Sequence, residues 1–207
     1  MGSGDMPPGR RELAKQAKRE RIMAAARELF AEHGVGGVTT RQIADRADVA
    51  IGTLYLYAST KAELLIMVQN EKFAAAIDDG LAAADTAAGQ SALEPVVALI
   101  RPVVKCAREH MENGRTYLHE LVFGDPAEPY RNEGLALAGR VEESVTGLLT
   151  QDDHIDGADA AVLARVITAI IHLSTTATVY LHRSDEAVIA DIRDQIRATL
   201  APHHHAA

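Results

Sequence analysis

The chain has 207 residues, of which 24% are charged, 47% hydrophobic and 4% aromatic, and its formal net charge is -8. This composition excludes a disordered or collagen-like chain, because the apolar fraction is ordinary and the glycines have no period. The total charge argues against a nucleic-acid partner, but the charge is unevenly distributed. Residues 1–65 carry 10 Lys and Arg against 8 Asp and Glu, so the acidic excess lies in the C-terminal two-thirds.

The sequence favours a cytoplasmic protein without a membrane span. Its one cysteine, Cys106, cannot form an intramolecular disulfide. The apolar stretch Val166–Leu181 is shorter than the ~20 residues of a membrane helix and contains His172. Residues 1–9 resemble a flexible leader or cloning remnant, and His203–His205 resemble the remains of a tag.

Apolar residues recur with a spacing near 3.6 and strand patterns are nearly absent, which predicts an all-α fold. A first helix is expected over Arg10–His33, with Gly34 as a left-handed cap. Thr39-x-x-Gln42 is typical of a capping box and opens a second, short helix that breaks at Asp48. A third short helix follows from about Ala50 to Tyr57.

A second capping box, Thr60-x-x-Glu63, opens a long helix to about Ala84. Pro95 and Pro102 predict a cap or kink in the helix that follows. An acidic, solvated connector is expected over residues 151–159. The later helices are predicted over Ser91–Asn113, Thr116–Phe123, Leu135–Leu149, Ala158–Leu181 and Asp185–Leu200.

The last two helices predict a homodimer. The helix Ala158–Leu181 is apolar on two faces, and in a domain of this size one of them needs a partner. The final helix is apolar at every fourth residue. We expect both helices to form a two-fold four-helix bundle, through Val162, Val166, Ile170, Leu173, Ala177, Val188, Ile192 and Ile196.

The third helix carries features of a nucleic-acid surface. Four successive large residues, Leu54 to Tyr57, point about 100° apart, so some of them must face outward. Gly52 and Thr53 keep the helix start slim enough for the major groove. Lys61 lies in the first turn of a helix, where the macrodipole disfavours a cation, and a bound phosphate or solvent could offset that cost.

Residues 20–68 carry Glu-Arg-Ile-Met-Ala-Ala-Ala-Arg-Glu-Leu-Phe-Ala-Glu-His-Gly, then Thr-Thr-Arg-Gln-Ile-Ala, then Gly-Thr-Leu-Tyr-x-Tyr-x-x-x-Lys-x-Glu-Leu-Leu. This run resembles the DNA-binding region of the tetracycline-repressor (TetR) family. The resemblance implies a dimeric one-component regulator, with an N-terminal helix-turn-helix and a C-terminal helical domain for effector binding and dimerisation. The expected divisions are a leader 1–9, a DNA-binding domain 10–65, an effector and dimerisation domain 66–201 and a disordered tail 202–207.

The resemblance also implies roles for single residues. Thr39 and Thr40 would cap the first motif helix and contact phosphate, Tyr57 and Lys61 would contact the DNA backbone, and Arg41 would reach a phosphate or base. The residues expected in the major groove are Ile51, Gly52, Thr53 and Tyr55. Asp48 stands where the family usually has Gly, and Ala58 where it usually has an aromatic residue.

The implied function is a transcriptional repressor that binds a near-palindromic operator and is released by a small lipophilic effector, with an activator left open. A DNA-binding dimer without an effector and an all-α enzyme or binding bundle are the alternatives. No cofactor, catalytic residue or metal site is expected, because no histidine of the helical regions follows a Glu by three residues. The candidate effector residues are Phe73, Val104, Met111, Tyr117, Phe123 and His172.

Overall fold

The computed structural model describes residues 9–87, 89 and 91–204. The predicted leader up to residue 8 and residues 205–207 of the predicted tail lie outside these ranges. Within them the secondary structure is helical, without a strand. Two compact units divide the chain between Val68 and Gln69, close to the predicted boundary at Leu65. We call residues 1–68 unit 1 and residues 69–207 unit 2.

The helices are α1 (Arg10–His33), α2 (Thr40–Arg46), α3 (Ile51–Leu54), α4 (Lys61–Thr86), α5 (Leu93–Arg108), α6 (Met111–Phe123), α7 (Pro129–Leu149), α8 (Gly157–Thr176) and α9 (Asp185–His204), with a 3-10 turn at Thr178–Tyr180. The bounds of α1 are those predicted. Helix α3 is shorter than predicted, since tight turns replace its helix after Leu54.

Unit 1 has a small apolar core around α2, which packs against both α1 and α3. Residues three, four, seven and eight apart on α1 are buried, as expected for one face of a helix. The side chains at the centre of this core are Ile22, Phe30, Ile43, Leu54 and Leu64. The first half of α1 takes no part in it, because every residue from Arg10 to Lys18 is exposed.

The predicted cap residues hold the ends of these helices. Thr39 accepts a hydrogen bond from the Gln42 amide (3.3 Å), and the Gln42 side chain accepts one from the Thr39 amide (2.8 Å). At α4, the Glu63 amide donates to the Thr60 hydroxyl (2.9 Å), and the Glu63 carboxylate accepts from the Ser59 amide (2.6 Å). Gly34 ends α1 with a φ of 68°. These are local contacts, which sequence patterns predict well.

Helix α5 is the central element of unit 2 and packs against α6, α7, α8 and α9. Two glycines let neighbouring helices approach its backbone. A Cβ added at Gly80 would lie 2.2 Å from the Leu99 carbonyl oxygen, and one at Gly114 would lie 1.7 Å from the Ala107 carbonyl oxygen. Both positions exclude a side chain, so these glycines set the spacing of the bundle.

The helix predicted over Ser91–Asn113 is wrong in its extent, because α5 ends at Arg108 and α6 begins at Met111. Glu109 and His110 separate them, and His110 caps α6, its Nδ1 accepting from the Asn113 amide (3.4 Å). Histidine is not a preferred cap, so this break has little local sequence signal. Helix α5 continues through Pro102, whose nitrogen has no hydrogen to donate.

The two C-terminal helices also differ from their predicted bounds. Helix α8 ends at Thr176, where the hydroxyls of Thr175 and Thr176 donate to backbone carbonyls of the preceding turn. Helix α9 runs on to His204, so residues 202–204 are helical and the predicted disorder there is wrong. Buried Leu200 anchors this last stretch to unit 2.

By length and composition, α8 is the one helix of the described ranges that could cross a membrane. The core helix of a folded domain passes the same test. One face of α8 is buried in unit 2, where the helix packs against α7 and α9. This packing favours a core helix with an uncovered second face.

The connector between α7 and α8 is not solvated throughout, contrary to the prediction. Asp152 is buried, and its carboxylate accepts hydrogen bonds from the amides of Ala92 (3.0 Å) and His154 (3.1 Å). The carboxylate therefore ties the connector to the start of α5. Such a long-range contact has no local sequence signal.

Replacing Gly114 by Ala should destabilise the chain by about 3 kcal/mol, because the new methyl group would force α6 away from α5. Gly139→Ala on α7 is the matched control, since nothing lies within 4 Å of a Cβ there. The control should be neutral or raise the melting temperature slightly. Thermal unfolding followed by circular dichroism measures both, and equal melting temperatures for the two variants would refute the close approach.

Candidate nucleic-acid interface and core cavity

The turn between α2 and α3 depends on Asp48, whose φ is 51°. Asp tolerates this left-handed conformation better than most residues. Its carbonyl and carboxylate oxygens both lie 3.4 Å from Nη1 of Arg21 on α1. The Asp48 side chain is almost fully exposed, so this ion pair adds little stability. The predicted turn is nevertheless formed, with Asp48 at the position where Gly was expected.

The structure brings together two of the predicted DNA-contacting residues, Thr40 and Tyr55. Their hydroxyl oxygens are 3.1 Å apart across α2 and the end of α3. Tyr55 is 48% exposed, so its hydroxyl remains accessible to an outside acceptor. Two joined hydroxyls at the start of α2 suit a phosphate oxygen, which accepts hydrogen bonds from such groups.

The outer side of α3 is open. Gly52 is exposed, and nothing lies within 4 Å of a Cβ built there. Ile51 and Thr53 are half-buried, while Leu54 is fully buried and anchors the helix to the core. Because Gly52 has no side chain and nothing crowds it, the short helix α3 can approach the floor of the major groove closely. Arg41 on α2 is also exposed.

Lys61 is held by protein groups rather than left to solvent. Its Nζ donates to the carbonyl oxygens of Val35 (2.6 Å) and Val38 (2.9 Å) in the loop between α1 and α2. These carbonyls offset the cost of a cation at the start of α4, so no phosphate is needed for that purpose. The side chain therefore fixes the loop that precedes α2, and this structural role was missed in the sequence.

Tyr57 is likewise engaged, since its hydroxyl donates to the Lys15 carbonyl oxygen (3.1 Å). The most exposed large side chain of this segment is Leu56, which is 83% exposed and was not among the predicted contact residues. The helical spacing of Leu54 to Tyr57 shows that some side chains must face outward. The spacing does not predict that Leu56 is the exposed side chain, because that depends on the position of the core.

Unit 2 contains a partly open apolar cavity of about 110 Å³ between α4, α5, α6, α7 and α8. Three predicted effector residues, Phe73, Val104 and His172, line it. The sequence missed the other wall residues, because only the packed bundle decides which stripes face the cavity. These are Val103, Ala107, Leu118, Ala138, Val141, Thr168, Ile171 and Thr175.

Three predicted effector residues do not line the apolar cavity. Tyr117 is fully buried behind Phe73, with ring centroids 5.0 Å apart, and its hydroxyl donates to Asn70 Oδ1 (2.9 Å). Burial raises the pKa of Tyr117, so the hydroxyl keeps its proton. Phe123 is 72% exposed, and Met111 is half-buried away from the cavity.

A polar cleft of about 400 Å³ lies beside the cavity, and His172 lines both. Burial lowers the pKa of His172, which favours its neutral form at neutral pH. Helix α6 supplies the polar wall of the cleft through Arg115, His119 and Glu112. The remaining residues of the cleft are Thr116, Phe123 and Thr176. Together the two spaces place an apolar chamber next to a polar entrance.

The predicted dimer residues fall into two groups. On α8, Val162, Val166 and Leu173 are 50%, 42% and 63% exposed. Ile170 and the residue after the helix, Ala177, are half-buried. The opposite face of α8 is buried in the core of unit 2.

On α9, Val188, Ile192 and Ile196 are each 0% exposed, so the prediction that they face a partner chain is wrong. Helix α9 uses its apolar stripe against α5 and α8 of its own chain. An i, i+4 repeat predicts burial but not the partner.

Neither a metal centre nor a reactive thiol is apparent in the residues that the structure describes. No group of three or more His, Cys, Asp or Glu side chains among them could hold a metal ion. Burial raises the pKa of Cys106 to about 11, so the thiol stays protonated at neutral pH.

Comparisons with known proteins agree on the region around α2 and α3. Residues 22–68 match the family model described as bacterial regulatory proteins, tetR family. The transcriptional repressor KstR of Mycobacterium tuberculosis is 42% identical over 65 residues, and that of Rhodococcus jostii is 40% identical over 60 residues. These matches cover 30% and 29% of this chain, and the chain spans under a third of each repressor's length (30% and 28%).

Solved structures resemble the fold over most of the chain. The FadR repressor of Thermus thermophilus, in complex with lauroyl-CoA, has a TM-score of 0.68 and 22% identity, and the match covers 88% of this chain and 93% of that one. The FadR regulator of Bacillus subtilis, in complex with stearoyl-CoA, has a TM-score of 0.63 and 20% identity, covering 86% and 97%. At this identity the likeness concerns the fold.

The helix-turn-helix around Asp48, the family match of the same residues and the helical fold of unit 2 lead to one conclusion. Residues 22–68 match the helix-turn-helix region of the tetR family of bacterial regulatory proteins, and the chain resembles solved regulators of that kind in fold.

Proposed function

We propose that this protein is a dimeric, cytoplasmic transcriptional repressor that binds a near-palindromic operator and releases it when a lipophilic effector enters unit 2. The observation that carries the proposal is the open surface of α2 and α3, which presents Thr40 and Tyr55 beside the bare Gly52. Its relatives with matching residues are repressors. The match of residues 22–68 to bacterial regulatory proteins supports a regulator over an enzyme.

On DNA, α3 would enter the major groove with Gly52 nearest the base edges. One of the Thr40 and Tyr55 hydroxyls donates to the other, and the remaining O–H would donate to a phosphate. Thr39, whose own hydroxyl donates to Gln42 Oε1 (2.8 Å), would contact the phosphate backbone, and Arg41 would reach a phosphate or base. Half-buried Ile51 offers an apolar contact to a thymine methyl group, whereas Thr53 can accept or donate a hydrogen bond. Tyr57 and Lys61 would serve mainly by fixing α1 and the α1–α2 loop, with their remaining surface turned to the DNA backbone.

The effector proposal combines the apolar cavity with the polar cleft. Two structural neighbours bind lauroyl-CoA and stearoyl-CoA, and a chain with a charged head suits a chamber that opens onto Arg115 and His119. The cavity of about 110 Å³ is smaller than the ~150 Å³ that accepts benzene. An acyl chain must therefore displace wall side chains to enter, and Phe73 is the largest of them.

This displacement offers a route from ligand to helix α4. Phe73 lies on α4 and packs against Tyr117, which is hydrogen-bonded to Asn70 on the same helix. Asn70 also donates to the Tyr130 carbonyl oxygen (2.8 Å) on α7. An effector that moves Phe73 would strain this network and shift α4, which begins in unit 1 at Lys61. Release of DNA would follow from that shift.

The dimer is proposed to form through the outward face of α8. A monomer exposing Val162, Val166 and Leu173 in one stripe carries an apolar patch that water disfavours. A two-fold axis would place this stripe against its copy.

Gly52→Glu should reduce operator affinity by on the order of 100-fold, because a carboxylate would meet the negative potential of the groove. The open space around Gly52 means that folding is unaffected. Gly139→Glu, also without neighbours, adds the same charge on α7 and should bind DNA normally. Fluorescence anisotropy with a duplex selected by the full chain from a random library measures both, and equal affinities would contradict the placement of α3.

Ala138→Phe should narrow the cavity mouth and weaken binding of lauroyl-CoA by tenfold or more. Ala138 is an exposed wall residue, and Ala136, exposed on the same helix but outside the wall, gives the control Ala136→Phe. Thermal shift and lauroyl-CoA-induced DNA release are the measurements. If lauroyl-CoA stabilises both variants as strongly as the unchanged protein, the effector does not use this cavity.

Leu173→Glu should convert the dimer into a monomer, since it would bury two carboxylates near the two-fold axis. Leu135 is 39% exposed on α7, so Leu135→Glu is the control that should leave the dimer intact. Sedimentation velocity at micromolar concentration gives the mass of each. A monomeric unchanged protein would refute the dimer directly.

A further inference from the structure

The first half of α1 extends beyond the core of unit 1. All side chains from Arg10 to Lys18 are exposed, and the first buried residue of the helix is Ile22. The stretch Arg10–Glu20 is about 16 Å long at 1.5 Å per residue. A helical segment of this length gains little from propensity alone and is ordinarily stabilised by packing. The side chains of this extension therefore have no packing contact with the core of unit 1.

The charges of this extension are sorted onto one face. Residues 10–20 contain five Lys and Arg against two Glu. At 100° per residue, Arg11, Lys15, Lys18 and Arg19 fall within about 100° of one another. Arg11, Lys15 and Arg19 follow one another at i, i+4, a spacing at which like charges repel. We call these four residues the basic stripe.

Ion pairing along the extension is exposed to solvent. Lys15 lies 3.8 Å from Glu12 in an ion pair whose two side chains are both two-thirds exposed, so it adds little stability. Glu20 accepts a hydrogen bond from Gln16 (2.9 Å). Arg11, Lys15 and Lys18 are exposed like charges that weaken their own helix, and a bound polyanion would replace their mutual repulsion by attraction.

The direction of the stripe is set by the rest of α1. It continues the face that carries the buried Ile22, Ala26 and Leu29, so it points to the side on which α2 and α3 lie. The Tyr57 hydroxyl bonds to the Lys15 carbonyl oxygen, which places the stripe next to the end of the α3 segment. Cations beside the proposed groove-facing helix are positioned for duplex phosphates rather than for a separate partner.

We propose that the basic stripe binds the phosphates of duplex DNA that flanks the sequence contacted by α2 and α3. The inference rests on the proposed function and extends the contact by up to about 16 Å, or about five base pairs. It assigns to α1 a sequence-independent role in affinity, while α3 supplies the sequence preference. The stripe and the helix-turn-helix thus bind adjacent parts of one duplex.

The test uses the full chain with Arg11→Gln, Lys15→Gln and Lys18→Gln combined. Gln preserves helix propensity, and these side chains are exposed, so the melting temperature should not change. The control combines Arg140→Gln, Arg165→Gln and Arg197→Gln in unit 2, which changes the net charge equally. The probes are the selected duplex without flanks and the same duplex with five and ten base pairs added at each end.

On the flanked duplexes, the stripe variant should bind on the order of 10- to 100-fold more weakly than the unchanged protein at about 0.15 M salt. Its salt dependence should flatten by about three counterions per bound chain. On the unflanked duplex the two proteins should bind alike, and the control should match the unchanged protein throughout.

An unchanged salt slope and equal affinity on flanked DNA would overturn the inference and leave the stripe to another partner. In that case Gly52→Glu would still weaken operator binding on the order of 100-fold, so the proposed function would stand. If the unchanged protein selected no duplex at all, the proposed function itself would fail.

Discussion

The ammonium group of Lys61 joins the start of α4 to the loop between α1 and α2, and the surface formed by α2 and α3 depends on this link. The group donates to the carbonyls of Val35 and Val38, just before the Thr39 cap. A helical unit of fewer than 70 residues buries a small core. Charge-assisted bonds to loop carbonyls therefore matter more there than in a larger domain. They orient the cap, and the cap orients Thr40 toward Tyr55.

In unit 2 the arrangement of the helices depends instead on close contacts between their backbones. The glycines at 80 and 114 bring α4 and α6 against the backbone of α5, and the larger residues around them leave an apolar cavity. The same close packing makes the cavity small. A ligand must rearrange its walls, and the wall residue Phe73 belongs to the helix that begins in unit 1. Tight packing would thus link ligand entry to helix movement.

Charge distinguishes the two units. The acidic excess of the chain lies in unit 2, while the first half of α1 concentrates cations on one face. An acidic unit 2 would be repelled by duplex DNA, so association is favoured with unit 1 leading. The total charge therefore does not exclude a nucleic-acid partner, whereas the distribution of charge indicates which end of the chain would bind it.

The sequence by itself determined the features that local physics controls. They are the all-α class, the bounds of α1, the cap at Thr39 and the left-handed turn at Asp48, along with the family signature. Tertiary structure decided which apolar stripe faces inward: α9 packs its stripe into the core, whereas α8 leaves Leu173 exposed. It also gave Lys61 its carbonyl partners and Phe73 its cavity. Caps and turns involve residues a few positions apart, but the partner of an apolar stripe is undefined until distant helices pack against it.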